Sequence, residues 1–307
     1  MNEQVFLWTA LLLLGAGWGL TMPMTRIAVS TGHGHFGLIF WQLVFSGACL
    51  AVLAFVGGRR RRIRPLTWPR FVICTVIAVS GTIAPNTFSY QAAVELPAGV
   101  MSIIISLVPM FALPIAILVG NEKPRILRMV GILFGAAAIV LLLGPDASLP
   151  NPAAAGFVLL AMIAPLCYAA EANIVGKMGL AGLNPVEAIF WASLIGIMIS
   201  VPLTALTGHW IDLSQVWGAP EYALLGLSVL HAFCYAGYVW LVRRAGTVFA
   251  AQVAYIVTGF GVFWSIILLD ERYSGWIWGA VVLMTIGLVL VQPGKPSKEG
   301  RASREVT

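Results

Sequence analysis

Long apolar runs separated by short polar or Gly/Pro-containing breaks organise this chain. Ten of them can be read, at roughly 5–28, 36–56, 71–93, 97–119, 126–144, 154–176, 185–206, 221–242, 246–269 and 276–292. They are too long and too uniformly apolar for the ten-residue alternating strands of a membrane barrel, and backbone groups in lipid must be satisfied within the protein. The pattern therefore predicts an all-α membrane protein of ten transmembrane helices. The first run lacks a basic leader and a clear small-residue cleavage site, so it is expected to remain as the first helix.

Composition agrees. Of 307 residues, 60% are hydrophobic and 10% charged, with a mean hydropathy of +0.93, whereas a soluble chain keeps about a quarter of its residues charged. The net charge of +6 would suggest a nucleic-acid partner in a soluble protein, but here the positions of the charges matter more than their sum. With odd helices running outward, one side of the membrane holds Arg59–Arg62, Arg64, Arg70, Lys123, Arg125, Arg128, Lys177, Arg243, Arg244, Lys295, Lys298, Arg301 and Arg304. That is sixteen of the eighteen cationic residues, leaving Arg26 and Arg272 on the other side. The bias predicts an inner (plasma) membrane protein with both termini in the cytoplasm, membrane lipid as its solvent and no nucleic-acid partner. Cys49, Cys74, Cys167 and Cys234 sit singly inside apolar runs, and His33, His35, His209 and Asp212 are too sparse for a metal site, so neither metal nor cofactor is expected.

The chain also repeats. Residues 98–143 and 245–291 each open on Ala-Gly, continue as a long apolar helix, reach a Glu-basic pair (Glu122-Lys123, Glu271-Arg272) and enter a second helix rich in small residues. Five helices per half is an odd number, which inverts the second half relative to the first. The expected division is 1–144 and 154–292 as two inverted five-helix repeats, with 145–153 as an external linker and 293–307 as a cytoplasmic tail. Inverted repeats around a midplane site are a plan of secondary transporters.

Together with Trp18-Gly19 and Arg26 in the first helix, the paired Ala98-Gly99 and Ala245-Gly246, Pro109, Glu122 and Glu271 resemble the pattern of the EamA family of the drug/metabolite transporter superfamily. The resemblance covers nearly the whole chain. It implies transport of a small organic metabolite, often outward, with amino acids, purines and cationic drugs among the candidates. It also implies a neutral residue at position 171, where this chain has glutamate.

Polar groups at membrane depth are costly and mark pathways or partners. Glu171 in helix 6 is one candidate, either binding a substrate ammonium or exchanging a proton; the alternative is a carboxylate that snorkels to the headgroups or pairs with Lys177. Thr21 is its repeat mate. His231, Tyr235 and Tyr238 form a stripe on helix 8 at spacings of four and three. The stripe could line the solute path with His231 as a second proton-coupling candidate, or His231 could simply bond a neighbouring helix. Asn86 and Tyr90 on helix 3, Gln252 and Tyr255 on helix 9, Trp18 on helix 1 and Tyr168 on helix 6 complete the candidate solute-binding set. Ser102 and Ser106 are weaker candidates, because such hydroxyls often bond back to their own helix. Pro109 and Pro114 are the hinge candidates. The expected cavity lies among helices 1, 3, 4, 6, 8 and 9, with 5 and 10 as scaffold. A monomeric secondary exporter moving an amino acid or similar solute by alternating access fits these readings best. A channel or facilitator stays open as an alternative. An intramembrane enzyme is less favoured, because no catalytic motif lies at membrane depth.

Overall fold

A computed structural model describes residues 3–56, 64–120, 122–143, 154–245, 247–250 and 252–291. Helices account for nearly all of it: α1 (Glu3–Ala28), α2 (His35–Val56), α3 (Trp68–Ala93), α4 (Ala98–Leu118), α5 (Ile126–Leu143), α6 (Ala155–Met178), α7 (Pro185–Thr207), α8 (Ala219–Ala245), α9 (Val253–Leu269) and α10 (Gly275–Val291). Eight of these contain stretches long and apolar enough to cross a membrane, while α9 and α10 are shorter apolar helices of 17 residues each. The linker 145–153, the tail 293–307, Arg59–Arg62 and the four tail cations lie outside the described residues.

Local chemistry sets the ends. Asn184 accepts from the Glu187 N–H while the Glu187 carboxylate accepts from the Asn184 N–H, a capping box that starts α7 with Pro185 in its first turn. Gly208 closes the same helix at φ 69°, and Gly179 follows α6 at φ 67°, both in the left-handed region that a side chain disfavours.

Three of the long helices are interrupted near proline, as loss of a backbone donor predicts. In α3 the five residues Val79–Ile83 form a π-helical turn, with the Ala84 N–H reaching back to the Val79 carbonyl just before Pro85. The first part of α4 stops at Ile105, and the helix resumes at Val108 with Pro109 in its first turn. Pro114 is accommodated inside that second part without a break. The first part of α6 ends at Ala161 and the second begins at Ile163, upstream of Pro165. The predicted span 246–269 is corrected: Thr247–Ala250 is a separate turn, and α9 proper begins at Val253, which leaves Gln252 in the intervening turn.

Successive helices alternate direction, so the connections gather at two ends. At the end where α1 begins, the near end, Glu3 pairs with Arg244 at 3.0 Å, Arg64 donates to the Gly182 carbonyl, and Arg128 donates to the Val291 carbonyl at 2.9 Å. At the far end Arg26 donates to the Ala93 and Val94 carbonyls, and His33 meets Glu221 at 2.7 Å. The Trp41 indole donates to the Ile211 carbonyl there, at 3.1 Å.

The packing is paired. Helix α1 packs on α8 and α9, as α6 packs on α3 and α4; α2 packs on α8 as α7 packs on α3; and α2 with α7, α4 with α9 and α5 with α10 complete the set. Each of these larger contacts maps onto another, or onto itself, when every helix number shifts by five, while the smaller α1–α4 and α4–α10 contacts have no counterpart of similar extent. The α5–α10 crossing uses small residues: a Cβ on Gly287 would fall 2.8 Å from the Gly131 carbonyl oxygen and 3.2 Å from the Gly135 nitrogen. Likewise a Cβ on Gly19 would lie 2.8 Å from the Gly261 nitrogen, which brings α1 and α9 into backbone contact.

Candidate functional site

Polar side chains from α1, α2, α3, α6 and α8 meet inside the bundle. Gln42 in α2 is the hub on one side: its carbonyl oxygen accepts from the Asn86 amide at 2.9 Å and from the Tyr90 hydroxyl at 2.5 Å. The Tyr168 hydroxyl of α6 donates to the Asn86 carbonyl oxygen at 3.4 Å, tying α6 to the same group. On the other side the Trp18 indole N–H donates to His231 Nδ1 at 3.2 Å, so His231 acts there as a neutral acceptor. Tyr238 sits with its ring 5.7 Å from that of Trp18. Thr21 is buried, and its hydroxyl donates to the Trp18 carbonyl of its own helix at 2.6 Å. Ser102 and Ser106 also bond back to their own helix, at 3.0 and 2.6 Å.

Glu171 brings a carboxyl group into this region. Its carboxylate lies against Gly81, where an added Cβ would fall 2.7 Å from one carboxylate oxygen and 2.8 Å from the other. Gly81 belongs to the π turn and stands thirteen residues after Trp68 and twelve before Ala93, at the midpoint of α3. The carboxylate is thus directed to mid-helix depth and not toward the headgroups. Among the described residues it has no ion-pair partner, Lys177 included. Tyr168 and Tyr235 lie within electrostatic range of it. The π turn widens α3 where the carboxylate approaches, and such turns recur at functional sites.

The remaining candidates are elsewhere. Tyr255 lines a cavity of about 290 Å3 that also borders Pro109, Asn173, Glu122, Arg128 and Val291. This cavity is walled by α4, α5, α6, α9 and α10, so α5 and α10, expected as scaffold, also line open space. Gln252 lies in the turn before α9 and makes no side-chain cap bond there.

The two loop glutamates do not pair with their neighbouring cations. Glu271 accepts from the Ala98 and Gly99 N–H groups at 2.8 and 3.2 Å, capping α4 at the far end, and from the Tyr273 hydroxyl. Burial, with the Glu271 carboxylate beside it, pushes the Tyr273 hydroxyl well above the usual tyrosine range, so it stays a donor. Glu122 pairs with Arg128 at 3.0 Å.

Gln42 was missed by sequence reasoning, although it is a lone amide in an otherwise apolar helix and the depth argument applied to Glu171 covers it equally. Among the described residues no group of three or more His, Cys, Asp or Glu side chains is arranged to hold a metal, and the four cysteines are free thiols.

A family profile described as the EamA-like transporter family matches residues 6–144 and again 156–292. The chain belongs to this family. The EamA-like chain is also 24% identical over 265 residues, 85% of each sequence, to a probable terminal-alkyne amino-acid exporter of Streptantibioticus cattleyicolor. A solved crystal structure superposes at a TM-score of 0.63 with 17% identity, covering 92% of this chain and 97% of the other, a likeness of fold. This EamA-like protein is accordingly an integral membrane protein of a transporter family whose members move small metabolites.

Proposed function

We propose that this EamA-like protein is a monomeric secondary exporter of small amino-acid-like metabolites that works by alternating access. In this reading ten helices cross the inner membrane as two inverted five-helix repeats, 1–144 and 154–292. The five-helix shift that maps the larger helix contacts onto one another supports the repeats, as does the double family match. Arg64, Arg70, Lys123, Arg125, Arg128, Lys177 and Arg244 at the near end, against Arg26 and Arg272 at the far end, support a cytoplasmic near end.

The observation that carries the mechanism is the Glu171 carboxylate at the midpoint of α3 without a cationic partner among the described residues. An ionised carboxylate at that depth is strongly disfavoured unless a cation joins it. Two ligands satisfy it: a proton, or the ammonium of a substrate. Access from the near end loads the ammonium on the deprotonated group. After the switch, a proton arriving from the far side replaces it, the substrate leaves, and the protonated carrier returns. Trp18, Tyr168, Tyr235 and Tyr238 supply aromatic faces for the cation and its side chain. Asn86 and Tyr90 fix the α2–α3 wall through Gln42. His231 orients the Trp18 indole and is the second titratable group on the path, while the Thr21 hydroxyl bonds back to the Trp18 carbonyl. The break ahead of Pro109 is the hinge of α4. The curated relative's name as an amino-acid exporter supports the substrate class.

Purified protein in proteoliposomes tests this. Efflux of a preloaded amino acid should accelerate when the outside is made acidic, and a protonophore should remove the acceleration. Flux that follows only the solute gradient, with or without the proton gradient, would instead establish a facilitator.

A further inference from the structure

The 290 Å3 cavity beside α6 is separate from the Glu171 carboxylate, which points from another face of the same helix toward α3. Its walls are mostly apolar, set by residues such as Pro109 and Val291, yet one charge pair stands in them. Arg128 is 11% exposed and Glu122 41%, with Arg128 Nη1 donating to Glu122 Oε2 at 3.0 Å. The Arg128 Nε–H donates to the Val291 carbonyl at 2.9 Å, which fixes the plane of the guanidinium against the end of α10. These bonds use two of its five N–H donors. Asn173 on the opposite wall is held by its amide nitrogen, which donates to the Ala112 and Ala169 carbonyls at 3.1 and 2.9 Å.

A fixed guanidinium presents a fork that matches a carboxylate in two-point contact, and a carboxylate beside it matches an ammonium. An α-amino acid zwitterion carries both groups on one carbon, so adjacent cationic and anionic partners can meet it together. The volume lies at the lower edge of the range of about 300–1,000 Å3 common for small-ligand sites, which suits a compact side chain against the apolar walls. We infer that this cavity is a loading site for zwitterionic amino acids with small apolar side chains, Arg128 taking the carboxylate and Glu122 the ammonium before the substrate reaches Glu171. The inference rests on the transport reading above. It adds a selection step that Glu171 alone cannot make, since an isolated carboxylate does not distinguish an amino acid from a simple amine.

Three probes separate the contributions: L-leucine, 3-methylbutylamine, which is leucine without its carboxylate, and 4-methylpentanoate, which is leucine without its ammonium. Binding to purified protein and exchange in proteoliposomes should both favour leucine over either fragment by at least about tenfold, the worth of one charge-assisted contact. Arg128→Gln should remove the preference over the amine, and Glu122→Gln should shrink the preference over the acid, of which Glu171 keeps the remainder. Wild-type protein that binds the amine as tightly as leucine overturns the inference without needing any variant to fold. So does a folded Arg128→Gln protein that keeps the wild-type ratio. In those cases leucine is still transported. Wild-type vesicles that move no amino acid at all defeat the transport reading itself, and the inference with it.

Discussion

Glu171→Gln is expected to lower transport by about 10- to 150-fold at saturating proton gradient, because it deletes a charge-assisted contact to the substrate ammonium worth about 1.5–3 kcal/mol. The amide is isosteric, and Gly81 offers no side chain to clash with it, so the helix pair α3–α6 should remain assembled. The residual flux should also lose its pH dependence between about pH 5 and 8, since the amide neither binds nor releases a proton. Flux is read in proteoliposomes and folding by the melting curve in detergent. A folded variant that keeps the wild-type pH profile removes Glu171 from the coupling step. If the proton is carried by His231 instead, the profile survives in Glu171→Gln and is lost in a histidine variant that keeps the Trp18 contact, such as His231→Gln.

Gly287→Leu is expected to produce the largest loss of stability. Its Cβ alone would approach the Gly131 carbonyl oxygen at 2.8 Å and the Met110 methyl at 2.6 Å. Met110 can move, but the opposing α5 backbone cannot move without separating the helices. Overpacking of a tight core costs about 1–3 kcal/mol and more where backbone must shift, and in a membrane bundle close approach of this kind is the main source of helix association. The variant should melt several degrees lower than wild type or fail to accumulate. Gly275→Leu, at an exposed α10 start with open space around its Cβ, is the matched control and should melt as wild type does. Equal melting of the two variants would mean that α5 and α10 do not cross through Gly131, Gly135 and Gly287.

The apolar pattern carried most of the helix boundaries. The run 185–206 became Pro185–Thr207, and 276–292 became Gly275–Val291, because a turn residue or cap marks each break in the sequence itself. Interruptions within the runs were harder to read. Proline signals a lost hydrogen bond, but whether the chain answers with a π turn, as before Pro85, or with a stop and restart, as before Pro109, depends on what packs alongside. Gly81 illustrates this: it sits in the π turn where the Glu171 carboxylate needs room, a relation between α3 and α6 with no signature in either helix alone.

Depth was the other blind spot. Counting along its own helix, Glu171 stands seven residues before Met178, about 10 Å from that end at 1.5 Å per residue, which suggests a group near the headgroups. Its neighbour across the interface puts it at the middle of α3. Arg128 was legible only as one of sixteen topological charges, and its low exposure beside a cavity emerges only when α10 folds back to place the Val291 carbonyl on its guanidinium. Trp18 and His231 were each singled out in sequence, but their direct hydrogen bond spans 213 positions and needed the assembled α1–α8 pair.

The central claim is that one carboxylate, Glu171, exchanges a proton for a substrate ammonium. Proton release on binding measures this directly. Purified wild-type protein in weakly buffered solution near pH 6 is mixed with saturating amino acid, and the proton count is followed with an indicator dye. The account predicts release of up to about one proton per bound substrate in wild type and none in Glu171→Gln. Stoichiometric binding without proton release across the acid range, or equal release from the Glu171→Gln protein, would contradict it.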